Sequence, residues 1–117
     1  MIYLRSWRTW AFMLYIILII YISSRTASEL SILSFFWRYD KLIHFLEYLG
    51  LGFLMVNMLM LQSLKNTHWK FAVVFLFLFP ILDETLQHYT PNRIPDIYDA
   101  VVDIFGGFFG AYIRKKI

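Results

Sequence analysis

Four long runs of apolar residues divide this chain, and they constrain its fold more than any other feature. They cover about residues 7–24, 41–64, 69–87 and 96–113, each close to the roughly 20 residues with which a helix crosses a bilayer. Hydrophobic residues make up 60% of the 117 residues, more than a soluble domain of this size requires. The sequence therefore predicts an all-α, polytopic membrane protein: one domain, residues 1–117, forming a four-transmembrane-helix bundle.

The first run also has the basic head and short apolar stretch of a secretory signal peptide. Trp7, Trp10 and Tyr21 bracket this run, as interfacial aromatic residues bracket a membrane span. We therefore expect a retained helix rather than a cleaved signal.

The basic residues predict how the spans are oriented. With the N-terminus in the cytoplasm, seven Lys and Arg residues lie inside and four lie outside, which favours cytoplasmic locations for both termini. The seven are Arg5, Arg8, Lys65, Lys70, Arg114, Lys115 and Lys116, and the four are Arg25, Arg38, Lys41 and Arg93. The basic residues that orient the spans account for the net charge of +3. No basic patch with interleaved aromatic residues is left to bind nucleic acid.

Ionisable and amide side chains form one stripe on each of the last three predicted helices, in the outer half of each span. The stripes are Asp40, His44, Glu47 and Tyr48; then Asp83, Glu84, Gln87 and His88; then Asp96, Asp99 and Asp103. Their spacings of three, four and seven residues place the first and third sets each on one helical face, whereas the second set forms two i, i+4 rows, Asp83/Gln87 and Glu84/His88. Glu47 and Asp103 would lie about 10 Å deep. If the stripes face one another, they line a hydrated pocket open to the extracytoplasmic side.

Asp83 and Glu84 are adjacent carboxylates at the outer end of the third apolar run. Neighbouring residues on a helix point about 100° apart, so both can face one pocket only if Pro80 bends the helix. We favour Glu84 for chemistry and Asp83 as its structural neighbour.

Small and amide residues predict helix packing. Gly50 and Gly52, and then Gly106, Gly107, Gly110 and Ala111, have the spacing that lets helices approach closely. Asn57 and Gln62 are predicted to form interhelical hydrogen bonds near the cytoplasmic side. Residues 65–70 are predicted to form the turn between the second and third helices.

The order of these motifs resembles the VanZ-like family over residues 39–112. The matching positions are Asp40-Lys41-x-x-His44-x-x-x-Tyr48, Asp83-Glu84-x-x-Gln87, then Arg93, Asp96, Asp99 and Asp103 before Gly106-Gly107-x-x-Gly110. The resemblance implies a small multi-pass protein of the bacterial inner membrane and cell envelope, whose namesake is associated with glycopeptide antibiotic resistance. It implies no settled reaction. The family often has Asn at the position of Asp103, so this chain carries an additional acid there.

The first functional hypothesis is acid–base chemistry on an envelope lipid or lipid-linked substrate. His44 would act as base or proton shuttle, oriented by Asp40 or Glu47, with Glu84 as the partner acid. Asp83, Asp99 and Asp103 complete the candidate catalytic set. The candidate substrate-binding set comprises Lys41, Tyr48, Gln87, His88, Arg93 and Asp96, of which Lys41 and Arg93 would contact a phosphate or carboxylate headgroup. No Ser or Cys belongs to the motifs, so an acyl-enzyme is not predicted.

Other interpretations stay open at this point. A non-catalytic module that binds a lipid or antibiotic accounts equally well for the cationic residues, and paired membrane carboxylates also suit a proton-coupled transporter. A metal variant would use His44, Glu47, Glu84 and His88, with Asp99 or Asp103 completing the shell. The chain has no cysteine, which excludes thiolate sites and disulfides. The sequence names no cofactor and no oligomeric state.

Overall fold

A computed structural model of the chain describes residues 3–23, 40–61, 65–89 and 97–117. The secondary structure in these ranges is helical, which confirms the all-α prediction with its four helices. A short 3-10 helix, Tyr3–Arg5, precedes α1 (Trp7–Ser23), α2 (Asp40–Leu59), α3 (Asn66–His88) and α4 (Ile97–Lys116).

Three helix boundaries differ from the sequence prediction by three residues or more. α2 ends at Leu59 instead of extending to residue 64, and α3 begins at Asn66, so most of the predicted turn over residues 65–70 is helical. The early start of α3 is explained by the His68 side chain, whose Nδ1 accepts the Lys65 backbone N–H at 3.0 Å. A side chain that reaches back in this way satisfies a donor at the helix start and stabilises it. α4 also continues past residue 113, through Arg114 to Lys116.

The contacts between helices define an up-down-up-down bundle with a long axis of 44 Å. α1 runs antiparallel to α2, because Arg8 contacts Asn57 while Tyr15 contacts Glu47. α2 and α4 are parallel, because His44 pairs with Asp103 and Asn57 with Arg114. The start of α1 and the end of α4 therefore share one end of the bundle. We call this the arginine end (Arg8, Asn57, Arg114) and the opposite one the histidine end (His44, Asp99, Asp103).

Glycines bring the parallel helices α2 and α4 into backbone contact. A Cβ atom added to Gly52 would overlap the Gly107 carbonyl oxygen, and one added to Gly110 would overlap the Leu49 carbonyl oxygen. The missing side chains let the two backbones approach, as the small-residue spacing predicts. This contact fixes the register between α2 and α4, and with it the position of His44 relative to the α4 aspartates.

The surface of the bundle is apolar, whereas several polar side chains are buried. Trp7, Leu14, Leu82 and Phe105 are each more than 60% exposed, and α1, α3 and α4 carry many further exposed apolar residues. The buried polar side chains are Thr9, His44, Asn57, Asp83, Gln87, Asp99 and Asp103. A soluble monomer rarely exposes an apolar surface of this extent, which marks an interface with a partner or a membrane.

By length and composition, one helix among the described residues is long and apolar enough to cross a membrane. Its apolar segment is Leu42–Leu59, with a mean hydropathy of 1.6 over 18 residues; Trp7–Ile22 is apolar but shorter. In α4 the carboxylates of Asp99 and Asp103 interrupt the apolar sequence. Among the four predicted spans, this criterion therefore supports the one formed by α2.

Candidate functional site

The His44 imidazole of α2 lies between two aspartates of α4. Its Nδ1 is 3.0 Å from Asp103 Oδ1, and its Nε2 is 3.6 Å from Asp99 Oδ2. All three residues are buried, with Asp103 only 1% exposed. Asp99 and Asp103 are one turn apart and share a face of α4, so both can reach the same ring. The structure thus forms a buried carboxylate–imidazole–carboxylate unit, a set of groups that can exchange protons.

A second hydrogen-bonded pair adjoins this unit. Tyr48, one turn after His44 on α2, is fully buried and donates its hydroxyl to Asp83 Oδ2 of α3 at 2.7 Å. Asp103 is close enough to Asp83 and Asp99 to interact electrostatically with both. These five residues, His44, Tyr48, Asp83, Asp99 and Asp103, form one polar cluster contributed by three helices. Gln87, one turn beyond Asp83, is also buried.

An apolar groove lies beside the polar cluster, between the end of α3 and the start of α4. Its volume is about 480 Å³, and its lining consists of Ile81, Glu84, Thr85, His88, Tyr89, Ile97 and Ala100. Glu84 follows Asp83 in α3 and Ala100 follows Asp99 in α4, so the groove and the cluster occupy adjoining faces of the same two helices. The predicted rows Asp83/Gln87 and Glu84/His88 therefore separate, the first into the interior and the second into the groove. α3 remains one helix through Pro80.

The remaining predicted site residues lie at the margin of the cluster or outside the described part. Glu47 is partly exposed, and its backbone carbonyl accepts the Tyr15 hydroxyl at 2.6 Å. Asp40 and Lys41 begin α2. The roles predicted for the side chains of Asp40 and Lys41, and for Arg93 and Asp96, fall outside what the structure describes.

Sequence reasoning did not identify the contacts that His44 makes with α4. The orienting role that it assigned to Asp40 or Glu47, both on α2, stays a prediction, and the structure adds Asp103 and Asp99 of α4 as neighbours of the two ring nitrogens. Helical spacing reveals neighbours within one helix, but a contact between helices depends on their register. The glycines of α2 and α4 were the signal that these two helices are close neighbours.

Within the described ranges, no group of three or more His, Asp or Glu side chains is placed to hold a metal ion. His44 belongs to the polar cluster and Glu47 lies at its margin, whereas Glu84 and His88 line the groove. The four-residue metal variant thus draws no support from the geometry.

Comparison with curated proteins and with solved structures gave no match. A family model described as VanZ/LLP1 matches residues 4–116, which include all four helices, the polar cluster and the groove. Because this match covers nearly the whole chain, the protein belongs to the VanZ/LLP1 family.

Proposed function

We propose that this protein is a four-span membrane protein that acts by acid–base chemistry on an envelope lipid or lipid-linked substrate at the histidine end. One observation carries the proposal: His44 is buried between Asp99 and Asp103, and Ala100, the neighbour of Asp99 on α4, lines an apolar groove. The groove suits the hydrocarbon part of a lipid, and the polar cluster suits its headgroup.

The apolar surface supports placement in a membrane. Exposed large apolar side chains lie along α1, α3 and α4, and the 44 Å long axis is close to the roughly 40–45 Å of a whole bilayer. The excess of basic residues at the arginine end favours a cytoplasmic location for that end. The histidine end and the groove would then open to the outside of the bacterial inner membrane.

In the chemistry that we propose, His44 is the proton-transferring group. A hydrogen bond from Nδ1–H to Asp103 would fix the ring and leave Nε2 to accept a proton from a substrate hydroxyl or a water. The distance of 3.6 Å between His44 Nε2 and Asp99 Oδ2 is longer than a normal hydrogen bond. A hydroxyl group of a substrate or a water molecule can bridge two polar atoms at such a distance. Glu84, in the groove, is the proposed partner acid, and Lys41 and Arg93 are proposed headgroup contacts.

The apolar lining of the groove also favours a second candidate, a module that binds a lipid or an antibiotic without converting it. Proton-coupled transport draws less support from the fold. Between the polar cluster and Asn57, the α2 side chains Leu51, Met55 and Val56 are apolar and fully buried. They place apolar packing between the polar groups of the two ends.

The test uses the full-length protein in lipid nanodiscs incubated with a bacterial envelope lipid extract. Mass spectrometry shows which lipid class is enriched with the protein and whether the mass of that lipid changes with time. We expect enrichment of one class and its conversion, which protein-free nanodiscs do not show. Enrichment without conversion would contradict catalysis and favour the binding module, and absence of both would refute the two candidates together.

A further inference from the structure

Two arginines contact one buried residue, Asn57, at the arginine end. Arg8 Nη1 of α1 donates to the Asn57 backbone carbonyl at 3.3 Å, and Arg114 Nε of α4 donates to Asn57 Oδ1 at 2.9 Å. Asn57 is 7% exposed, and both arginines are partly buried. The two guanidinium groups are therefore held in place, unlike freely solvated surface cations.

No carboxylate side chain among the described residues contacts either guanidinium. The carboxylates of α2, α3 and α4 all lie toward the histidine end, and Asn57 follows His44 by 13 residues, or about 20 Å along the helix. Two positive charges are thus positioned on the same residue, and the groups that they contact there, a backbone carbonyl and a side-chain amide oxygen, are neutral. Positive charges without a carboxylate partner favour the binding of an anion.

The hydrogen-bond donors that remain match a phosphate group. Arg8 uses Nη1, which leaves its Nε–Nη2 edge, and Arg114 uses Nε, which leaves its Nη1–Nη2 edge. Each such edge can donate two parallel hydrogen bonds to the oxygens of a phosphate. Thr9, which follows Arg8 in the chain, has a buried hydroxyl with no hydrogen-bond partner among the described residues.

Each of three cations at the arginine end lies close to one aromatic ring. Arg8 lies 6.0 Å from the centre of the Trp7 ring, Arg114 5.9 Å from that of Phe53, and Lys115 5.1 Å from that of Trp69. Trp7 is 68% exposed. Exposed Trp among Lys and Arg is typical of the headgroup level of a membrane, where lipid phosphates lie.

We propose that Arg8 and Arg114, positioned by Asn57, form a binding site for the phosphate group of a membrane phospholipid. The inference uses the membrane location from the proposed function but not its chemistry. The site is at the opposite end from His44, so its failure leaves the acid–base proposal untouched.

The test measures binding of dioleoyl phosphatidylglycerol to delipidated full-length protein by native mass spectrometry. Arg8→Gln and Arg114→Gln are each expected to weaken binding about tenfold or more, because each removes a charged bidentate contact. Arg5→Gln is the matched control: Arg5 is exposed at the same end, and the substitution removes the same charge. Binding of diacylglycerol, which lacks the phosphate, is expected to be unchanged in all variants.

Two lysine variants test the geometry of the contact. Arg8→Lys and Arg114→Lys retain the charge but lose the two-donor edge, and we expect them to bind the lipid more weakly than the native protein while their melting temperature is unchanged. Millimolar inorganic phosphate distinguishes the sources: no displacement supports a lipid phosphate, and displacement supports the same phosphate site filled from solution. Equal losses in Arg5→Gln and Arg8→Gln, or full binding by both lysine variants, would overturn the proposal.

Discussion

Replacing His44 with glutamine is expected to lower the rate of lipid conversion by about 100-fold or more, the range that general acid–base groups contribute. The glutamine amide can retain a hydrogen bond to Asp103, but it cannot take up a proton as the imidazole ring does. Lipid binding should persist, because the groove beside the cluster is unchanged. The measurement compares conversion rates and lipid occupancy in nanodiscs for the variant and the native protein.

His68→Gln is the matched control for this prediction. His68 accepts the Lys65 N–H at the start of α3, far from the polar cluster, and glutamine can also accept that hydrogen bond. Its conversion rate should equal that of the native protein. A His44→Gln variant that remains folded and converts lipid at the native rate would remove His44 from the chemistry.

Replacing Gly110 with alanine is expected to destabilise the bundle by about 3 kcal/mol, at the upper end of the usual cost of overpacking. The added methyl group would overlap the Leu49 backbone carbonyl, which cannot move unless α2 and α4 separate. Gly52→Ala should cost a similar amount, because its methyl group overlaps the Gly107 carbonyl. The measurement is the free energy of unfolding in mixed micelles during titration with dodecyl sulfate.

Gly107→Ala provides the matched control on the same helix. The three atoms nearest to its methyl group would all belong to the Leu76 side chain, with Cδ2 closest at 3.2 Å, and the end of that side chain is flexible. We expect a cost of less than about 1 kcal/mol. Equal stability losses in Gly107→Ala and Gly110→Ala would show that glycine itself, and not the close approach of the backbones, determines stability.

Much of this arrangement follows from helical spacing. The intervals between Asp99 and Asp103, and between His44 and Tyr48, predict that each pair shares a face, and the structure joins both faces in one cluster. Spacing could not predict that His44 pairs with Asp103, because this contact depends on the register in which Gly52 meets Gly107. That register is a property of two helices and is absent from either sequence segment alone.

The Asp83-Glu84 pair shows a similar limit. Sequence reasoning favoured Glu84 for chemistry, and that role stays a prediction. The structure places Asp83 in the buried cluster with Tyr48, and Glu84 in the groove, because consecutive helical residues point in different directions.

From the sequence, Arg8 and Arg114 were interpreted only as charges that set the orientation of the spans. Their shared partner Asn57 was predicted to form an interhelical hydrogen bond, and it does so with Arg114.

The orientation of the histidine end tests the account most directly, because the substrate proposal requires it to face outward. The chain has no native cysteine, so single cysteines can be introduced at Thr85 in the groove and at Lys116 at the other end. With a membrane-impermeant maleimide on intact spheroplasts, the account predicts labelling of Thr85→Cys, and labelling of Lys116→Cys only after permeabilisation. Labelling of Lys116→Cys in intact spheroplasts with Thr85→Cys protected would contradict it.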